Sequence, residues 1–281
     1  IGGNVYSTLN DNTYGTKSGT SMAAPNVAGM SALMLENYSG RFGSSVSRTD
    51  QLELIKTALM NTAQILENDE GVPYAPRQMG AGLAQIDKAL ATDVFATVDG
   101  DASVALREVN EARSFTVTLS NRGSSDVTYS VPTQEVLAEA DADAEAGDYT
   151  NVTVPSSATL TSDVTSVTVP ANGAATVTFN LNPAGHDDGF IEGWARLASE
   201  TSGAPDLAVP YLGFVGDWNE EPILQEPGEE FPYLDESSPL SFRTTELVTN
   251  RDGATYPGSW IGGDIWLSPD CDGNFDQVFA S

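Results

Sequence analysis

"KSGTSMAAPNVAG", Lys17–Gly29, is the stretch on which the reading of this chain turns. One serine, Ser21, follows a Gly-Thr pair and precedes a run of small residues that ends at Pro25. Gly19 allows a tight backbone approach that a Cβ would block. From Ser21 onward "MAAPNVAGMSALMLENY" is apolar on nearly all sides, which predicts a buried helix. Pro25 falls in its first turns, where a missing N–H costs least, and Gly40 is suited to end it in a left-handed cap. Ser21 then stands at a helix N-terminus, where its own N–H is not used by the helix and the dipole favours negative charge. That placement suits a nucleophile, which needs exposure, a base and donors aimed at the developing oxyanion. It equally suits an ordinary N-cap.

Outward from this stretch, residues 1–95 read as mixed α/β. "VYSTL" (Val5–Leu9) is strand text and "NDN" (Asn10–Asn12) is turn chemistry. Ser47 and Asp50 have capping-box spacing ahead of a second helix, whose Leu52, Ile55 and Leu59 recur at i, i+3 and i+7. A loop rich in Gly and Pro follows. Leu83, Ile86 and Leu90 then predict a third, shorter amphipathic helix.

Near Ala96 helix periodicity gives way to alternating Thr, Val and Ser. "SFTVTLSN" (Ser114–Asn121), "TSVTVP" (Thr165–Pro170), "ATVTFNLNP" (Ala175–Pro183), "FIEGWARLAS" and "LAVPYLGFVGDW" are strands bounded by turn residues. Their number and spacing predict an antiparallel β-sandwich over 96–215. Within it, "QEVLAEADADAEAGD" (Gln134–Asp148) reads as a solvated acidic insertion with frayed helical character. Residues 216–238 are an acidic, Pro-rich linker, and 239–281 are the start of a further β-domain.

Forty Asp and Glu against 12 Lys and Arg give a net charge of −28. Such a surface repels nucleic acid, which is bound through Lys and Arg, and keeps the chain soluble by self-repulsion. Cys271 is the single cysteine, so no internal disulfide can form. No apolar run is long enough to span a membrane. The chain begins at Ile1 and stops mid-pattern at Ser281, and is expected to be the C-terminal part of something longer.

"GTSMAAPNVAG" resembles the serine motif of the subtilisin-like peptidases, Gly-Thr-Ser-Met-Ala-(Ala/Ser/Thr)-Pro, usually continued by His-Val-Ala-Gly. Asn26 stands where that His is common. "PRQMGAGLAQIDKAL" is similar to the segment that closes the catalytic domain of lactocepin-type cell-envelope proteinases. "GWARL", "VPYLGFVGDWNEEPIL" and "LSPDCDGNFD" look like the fibronectin-III-like domains that follow there, although Asp270 and Cys271 depart from the usual Ser-Pro-Asn-Gly-Asp-Gly. The resemblance implies the C-terminal part of a subtilisin-like domain (1–95), a fibronectin-III-like sandwich (96–215) and the truncated start of a second one. It implies a serine endopeptidase, secreted or attached to the cell wall, that acts on extracellular proteins or peptides. Ser21 would be its nucleophile, the Ser21 N–H part of its oxyanion hole, and Thr20 a support for that hole. No cofactor is required for such chemistry.

The base is missing. In subtilisin-type chains the triad runs Asp, His, Ser, yet the residues before Ser21 hold no histidine and one acid, Asp11. His186, the single histidine, lies far downstream in "NPAGHDDGF" and reads as a solvated loop residue. Lys17 is a weak substitute, since Ser–Lys sites use other motifs. The triad Asp and His, with the oxyanion Asn, are therefore expected upstream of Ile1, and the isolated chain is expected to be inactive. The competing reading is a non-catalytic surface module, structural or adhesive, with a relic serine motif. In "SPDCDGNFD", Asp270, Asp272, Asn274 and Asp276 alternate as oxygen ligands for a hard cation would, a candidate structural Ca²⁺ site.

Overall fold

The computed structural model describes residues 2–42, 46–141 and 151–218, and four strands beyond them, Glu246–Thr249, Thr255–Ile261, Asp264–Leu267 and Gln277–Phe279. Those four strands form an antiparallel sheet in a separate unit, Trp218–Ser281. Most of the acidic linker and all of Asp270, Asp272, Asn274 and Asp276 lie outside the described residues.

The first unit, Ile1–Asp217, opens with a hairpin. Strands β1 (Val5–Leu9) and β2 (Thr13–Lys17) pair antiparallel with Val5 opposite Lys17. Asp11 and Asn12 between them take φ of 60° and 57°, a left-handed region that Asn and Asp tolerate better than most residues. Helices α1 (Thr20–Phe42), α2 (Arg48–Asn61), α3 (Pro76–Met79) and α4 (Ile86–Ala91) follow. Ser47 caps α2 by accepting the Asp50 N–H at 3.1 Å.

Helix α1 differs from expectation in two ways. It runs through Gly40 to Phe42, and it is mostly exposed. Only Met34 and Tyr38 are buried, while Val27 is 43% and Leu33 58% accessible. The reason is local: its neighbours are α2, α4 and Phe95, all on one side. Met30, Met34, Tyr38 and Phe42, spaced by four, form the stripe that packs, with Leu35 beside it. On α2 the same logic leaves Leu52 exposed while Ile55 and Leu59 are buried. The helix expected from Leu83, Ile86 and Leu90 is α4 and begins only at Ile86. Leu83 instead forms a two-way backbone bridge with Gln64, 2.8 Å in each direction.

The rest of the unit is a β-sandwich. One sheet runs β3 (Val94–Thr97), β5 (Arg113–Asn121), β11 (Ala174–Asn182), β9 (Thr159–Ser162). The other runs β10 (Ser166–Val169), β6 (Val127–Ser130), β12 (Gly189–Ser199), β13 (Leu207–Val215), β4 (Val104–Glu108). Strand β7 (Val136–Asp141) is attached to β12 and carries β8 (Asn151–Pro155) on its other side. All these pairs are antiparallel except β4 with β13. Period-two alternation sends Phe115, Val117 and Leu119 inward from one sheet, and Ile191, Leu197, Val209 and Tyr211 from the other. The expected frayed helix at 134–148 is a strand over Val136–Asp141; a β-branched Val136 and a buried Leu137 fit a sheet better than an isolated turn of helix. Residues 142–150 lie outside the described residues.

Strand β12 breaks the alternation. Ile191 to Ala195 are buried without a gap, because its outer face is covered by residues 65–81. Leu137, Trp194 and Ala208 of the sandwich meet Ile65, Val72 and Met79 there. Helix α2 is stitched on beside them by Asn61, 1% exposed. Its Nδ2 donates to the Ala208 carbonyl at 3.3 Å and its Oδ1 accepts the Ala96 N–H at 2.8 Å, one contact to each sheet. Asn61→Ala removes both partners from a dry site and is expected to cost about 2 kcal/mol, read as a lower urea midpoint with an unchanged slope. An unaltered midpoint would mean that these bonds contribute nothing.

Candidate active site

The serine loop is built by backbone clamps. The Gly19 N–H donates to the Gly2 carbonyl at 2.8 Å, and the Asn4 N–H to Ser18 Oγ at 2.9 Å. The Gly19 carbonyl then accepts from Met22 at 3.0 Å and Ala23 at 3.3 Å, which uses two of the donors left over at the start of α1. Gly19 sits at φ +152°, a conformation that side-chain-bearing residues rarely take. Gly2 is equally constrained, since a Cβ there would lie 2.3 Å from the Gly19 carbonyl oxygen.

Ser21 is thereby placed as the second residue of α1, exposed, with Thr20 and Lys17 exposed beside it. Among the described residues, neither the Ser21 hydroxyl nor its N–H has a hydrogen-bond partner. The amide stands where the helix dipole favours a developing negative charge. Asn26, in place of the family's common histidine, donates Nδ2–H to the Met22 carbonyl at 2.8 Å one turn back and so braces the first turn.

Among the described residues, no histidine is brought to this point. His186, which the sequence suggests is solvated, is half-buried and fully engaged in the sandwich. Its Nε2 faces the Phe190 carbonyl at 3.1 Å and its Nδ1 faces Ser156 Oγ at 2.6 Å. A carbonyl can only accept, so Nε2 carries the proton and Nδ1 accepts from the Ser156 hydroxyl. Ser156 Oγ accepts in turn from the Ala158 N–H at 3.0 Å. The group clips the loop after β8 to the loop after β11, where "NPAGHDDGF" has the small residues and turn formers such a clip needs.

The far end of α1 is the fixed one. Tyr38 donates its hydroxyl to the Ala89 carbonyl at 3.2 Å, and its ring meets Phe42 and Phe95 edge-on at 5.0 and 6.3 Å. Burial pushes its phenol up to about 12, with Arg41 opposing the shift and Asp93 adding to it. Arg41 bonds the carbonyl of Leu90 in α4 and pairs with Asp93, in the connection from α4 into β3. From Tyr38 to Ser21 the helix rises roughly 25 Å at 1.5 Å per residue. The sandwich thus holds the end of α1 opposite the serine. Asn61, which joins α2 to both sheets, is not singled out by the sequence, where it is one polar residue at the end of a helix.

Comparison with known proteins fits this geometry. Residues 2–82 match the subtilase family, and residues 104–212 match an Fn3-like domain. Curated relatives include a PII-type proteinase of Lactococcus lactis subsp. cremoris, 31% identical over 99% of this chain and 15% of the relative. A PII-type proteinase of Lacticaseibacillus paracasei is 32% identical over 92% of this chain and 14% of its own length. A C5a peptidase of Streptococcus pyogenes serotype M6 is 28% identical over 80% and 19%. The chain therefore spans only about a seventh to a fifth of the length of these relatives. Gly2→Ala is expected to lift the Gly19 carbonyl and speed hydrogen exchange at Gly19, Met22 and Ala23 by at least about tenfold; unchanged protection would show that the clamp is not needed. With the serine loop, its helix and the trailing sandwich all accounted for, the chain belongs to the subtilase family through residues 2–82, joined to an Fn3-like domain.

Proposed function

We propose that this chain is the nucleophile-bearing part of a surface-located serine endopeptidase, and that Ser21 attacks the scissile carbonyl of a protein or peptide substrate. The observation that carries this reading is the exposed Ser21 at the start of α1, with its hydroxyl and N–H uncommitted, inside the segment that matches the subtilase family. In the acylation step a base removes the hydroxyl proton, Oγ bonds to the carbonyl carbon, and the carbonyl oxygen takes up negative charge. The Ser21 N–H at the dipole-positive end of the helix would stabilise that oxyanion, with Thr20 supporting the loop. The base is a histidine, oriented by an aspartate, supplied by polypeptide upstream of Ile1 in the intact parent, as is the side-chain amide of the oxyanion hole.

The relatives are named a proteinase and a peptidase, which supports the peptidase reading; action at or outside the cell surface is part of the same proposal. No helix among the described residues is long and apolar enough to cross a membrane. Chemistry of this kind needs no cofactor, and Asp270, Asp272, Asn274 and Asp276 remain a proposed structural Ca²⁺ site. The open flank of α1 with Val27 and Leu33, and the stacked Tyr6 and Tyr14 at 6.0 Å, would be covered in the intact parent by its upstream catalytic segments.

The 281-residue chain is expected to release no product from a fluorogenic peptide. In the intact parent, Ser21→Ala is expected to reduce kcat by about four orders of magnitude or more. Turnover by the isolated chain, or an active Ser21→Ala parent, would overturn the assignment; an intact parent that cleaves no peptide would favour the non-catalytic module with a relic motif.

A further inference from the structure

The joint between residues 65–81 and the sandwich contains a carboxylate that a β-strand of this kind has no reason to bury. Glu192 lies in the middle of β12 and is 0% exposed. Both its oxygens are taken by one residue of the other side. Oε2 accepts the Arg77 backbone N–H at 3.1 Å and Oε1 accepts Arg77 Nε–H at 2.9 Å. The same guanidinium reaches Glu139 of β7 through Nη2 at 2.6 Å and lies over the Phe190 ring, 3.7 Å from its centroid. Three strand residues thus define the position of one arginine.

Arg77 is presented by a shape that is itself rigid. Pro76 fixes φ at the first position of α3, and Gly80 closes the turn at φ +63°. On either side, Thr153 Oγ1 donates to Gln78 Oε1 at 3.2 Å, and Trp194 Nε1 to the Ala81 carbonyl at 3.3 Å. We propose that Arg77 is an orientation latch, which sets the sandwich at one angle on the subtilase-like segment and makes it a fixed part of that body rather than a tethered spacer. An apolar patch such as Leu137, Trp194 and Ala208 against Ile65, Val72 and Met79 tolerates sliding. A planar fork held by two carboxylates and a ring does not.

The charges around Glu192 give the latch a pH signature. Arg77 acts on it from α3 and Glu139 from β7, and Tyr211 of β13 lies near enough to feel its charge. Burial holds the Glu192 carboxyl above the usual carboxylate range despite the bonds from Arg77, and Glu139 adds to the rise. A raised folded-state value means that the folded chain takes up the proton more readily than the unfolded one. The Glu192 contribution to stability is therefore greatest below the ordinary glutamate range and declines as pH rises through the folded value. Glu192→Gln should remove that part of the slope.

The test uses the full chain with Cys271→Ser and spin labels at two exposed positions, Glu53 on α2 and Glu111 in the sandwich. The parent chain should give one narrow distance distribution. Arg77→Lys, which keeps the charge and loses the fork, should broaden it while both parts stay folded by circular dichroism. Arg77→Met leaves Glu192 buried without a partner and should lower Tm by roughly 10 °C. Adding Glu192→Gln should recover at least half of that loss without narrowing the distribution. A narrow distribution in Arg77→Lys, or a Tm in Arg77→Met no lower than in Glu192→Gln, would overturn the latch. None of these readouts depends on the role of Ser21.

Discussion

A helix held at one end is the constraint from which the rest follows. Met34, Tyr38 and Phe42 pack against Ala89 and Phe95, and Arg41 ties the same turn to Leu90 and Asp93. The opposite end carries Ser21 some 25 Å away by helix geometry, with only the short clamps to Gly2 and Asn4 behind it. Rigidity enters from the sandwich side, and the exposed Ser21 sits at the other. That division accounts for a first helix that is mostly exposed among the described residues.

The sandwich is more than an appendage in this arrangement. Its strand β12 is buried on both faces because the subtilase-like segment supplies the second cover. Asn61 reaches both sheets from α2, and Arg77 reaches two strands from α3. The match to an Fn3-like domain begins at residue 104, yet β3 starts at Val94, directly after the connection that anchors α1. One sheet of the sandwich is therefore continuous with the support of helix α1.

Much of this was legible in the residues, and the failures have physical causes. The strands around Ser114–Asn121 and Ala175–Asn182 were readable because one face is core and the other water, so their alternation is clean. The serine loop was readable because tight turns demand particular residues, here Gly19 and the small residues after Ser21. The burial of α1 was misjudged because apolar text records the environment a helix is suited to, and Val27 and Leu33 lack that environment among the described residues. Glu139 read as part of a solvated acidic run, since nothing in its neighbours announces an arginine 62 residues away. His186 read as solvent-facing for the same reason: its partners, Ser156 and the Phe190 carbonyl, meet it only through loop packing.

Two serines now stand in contrast. Ser156 has a histidine at hydrogen-bond distance and a hydroxyl already committed on both sides. Ser21 has neither, but has the helix terminus and the exposure. The central claim, that the second kind of site is the one a parent enzyme completes, is most directly tested by treating the intact parent with a fluorophosphonate and mapping the adduct by mass spectrometry. The account predicts a single adduct on the peptide containing Ser21. An adduct on Ser156, or none on Ser21 in a parent that cleaves peptides, would contradict it.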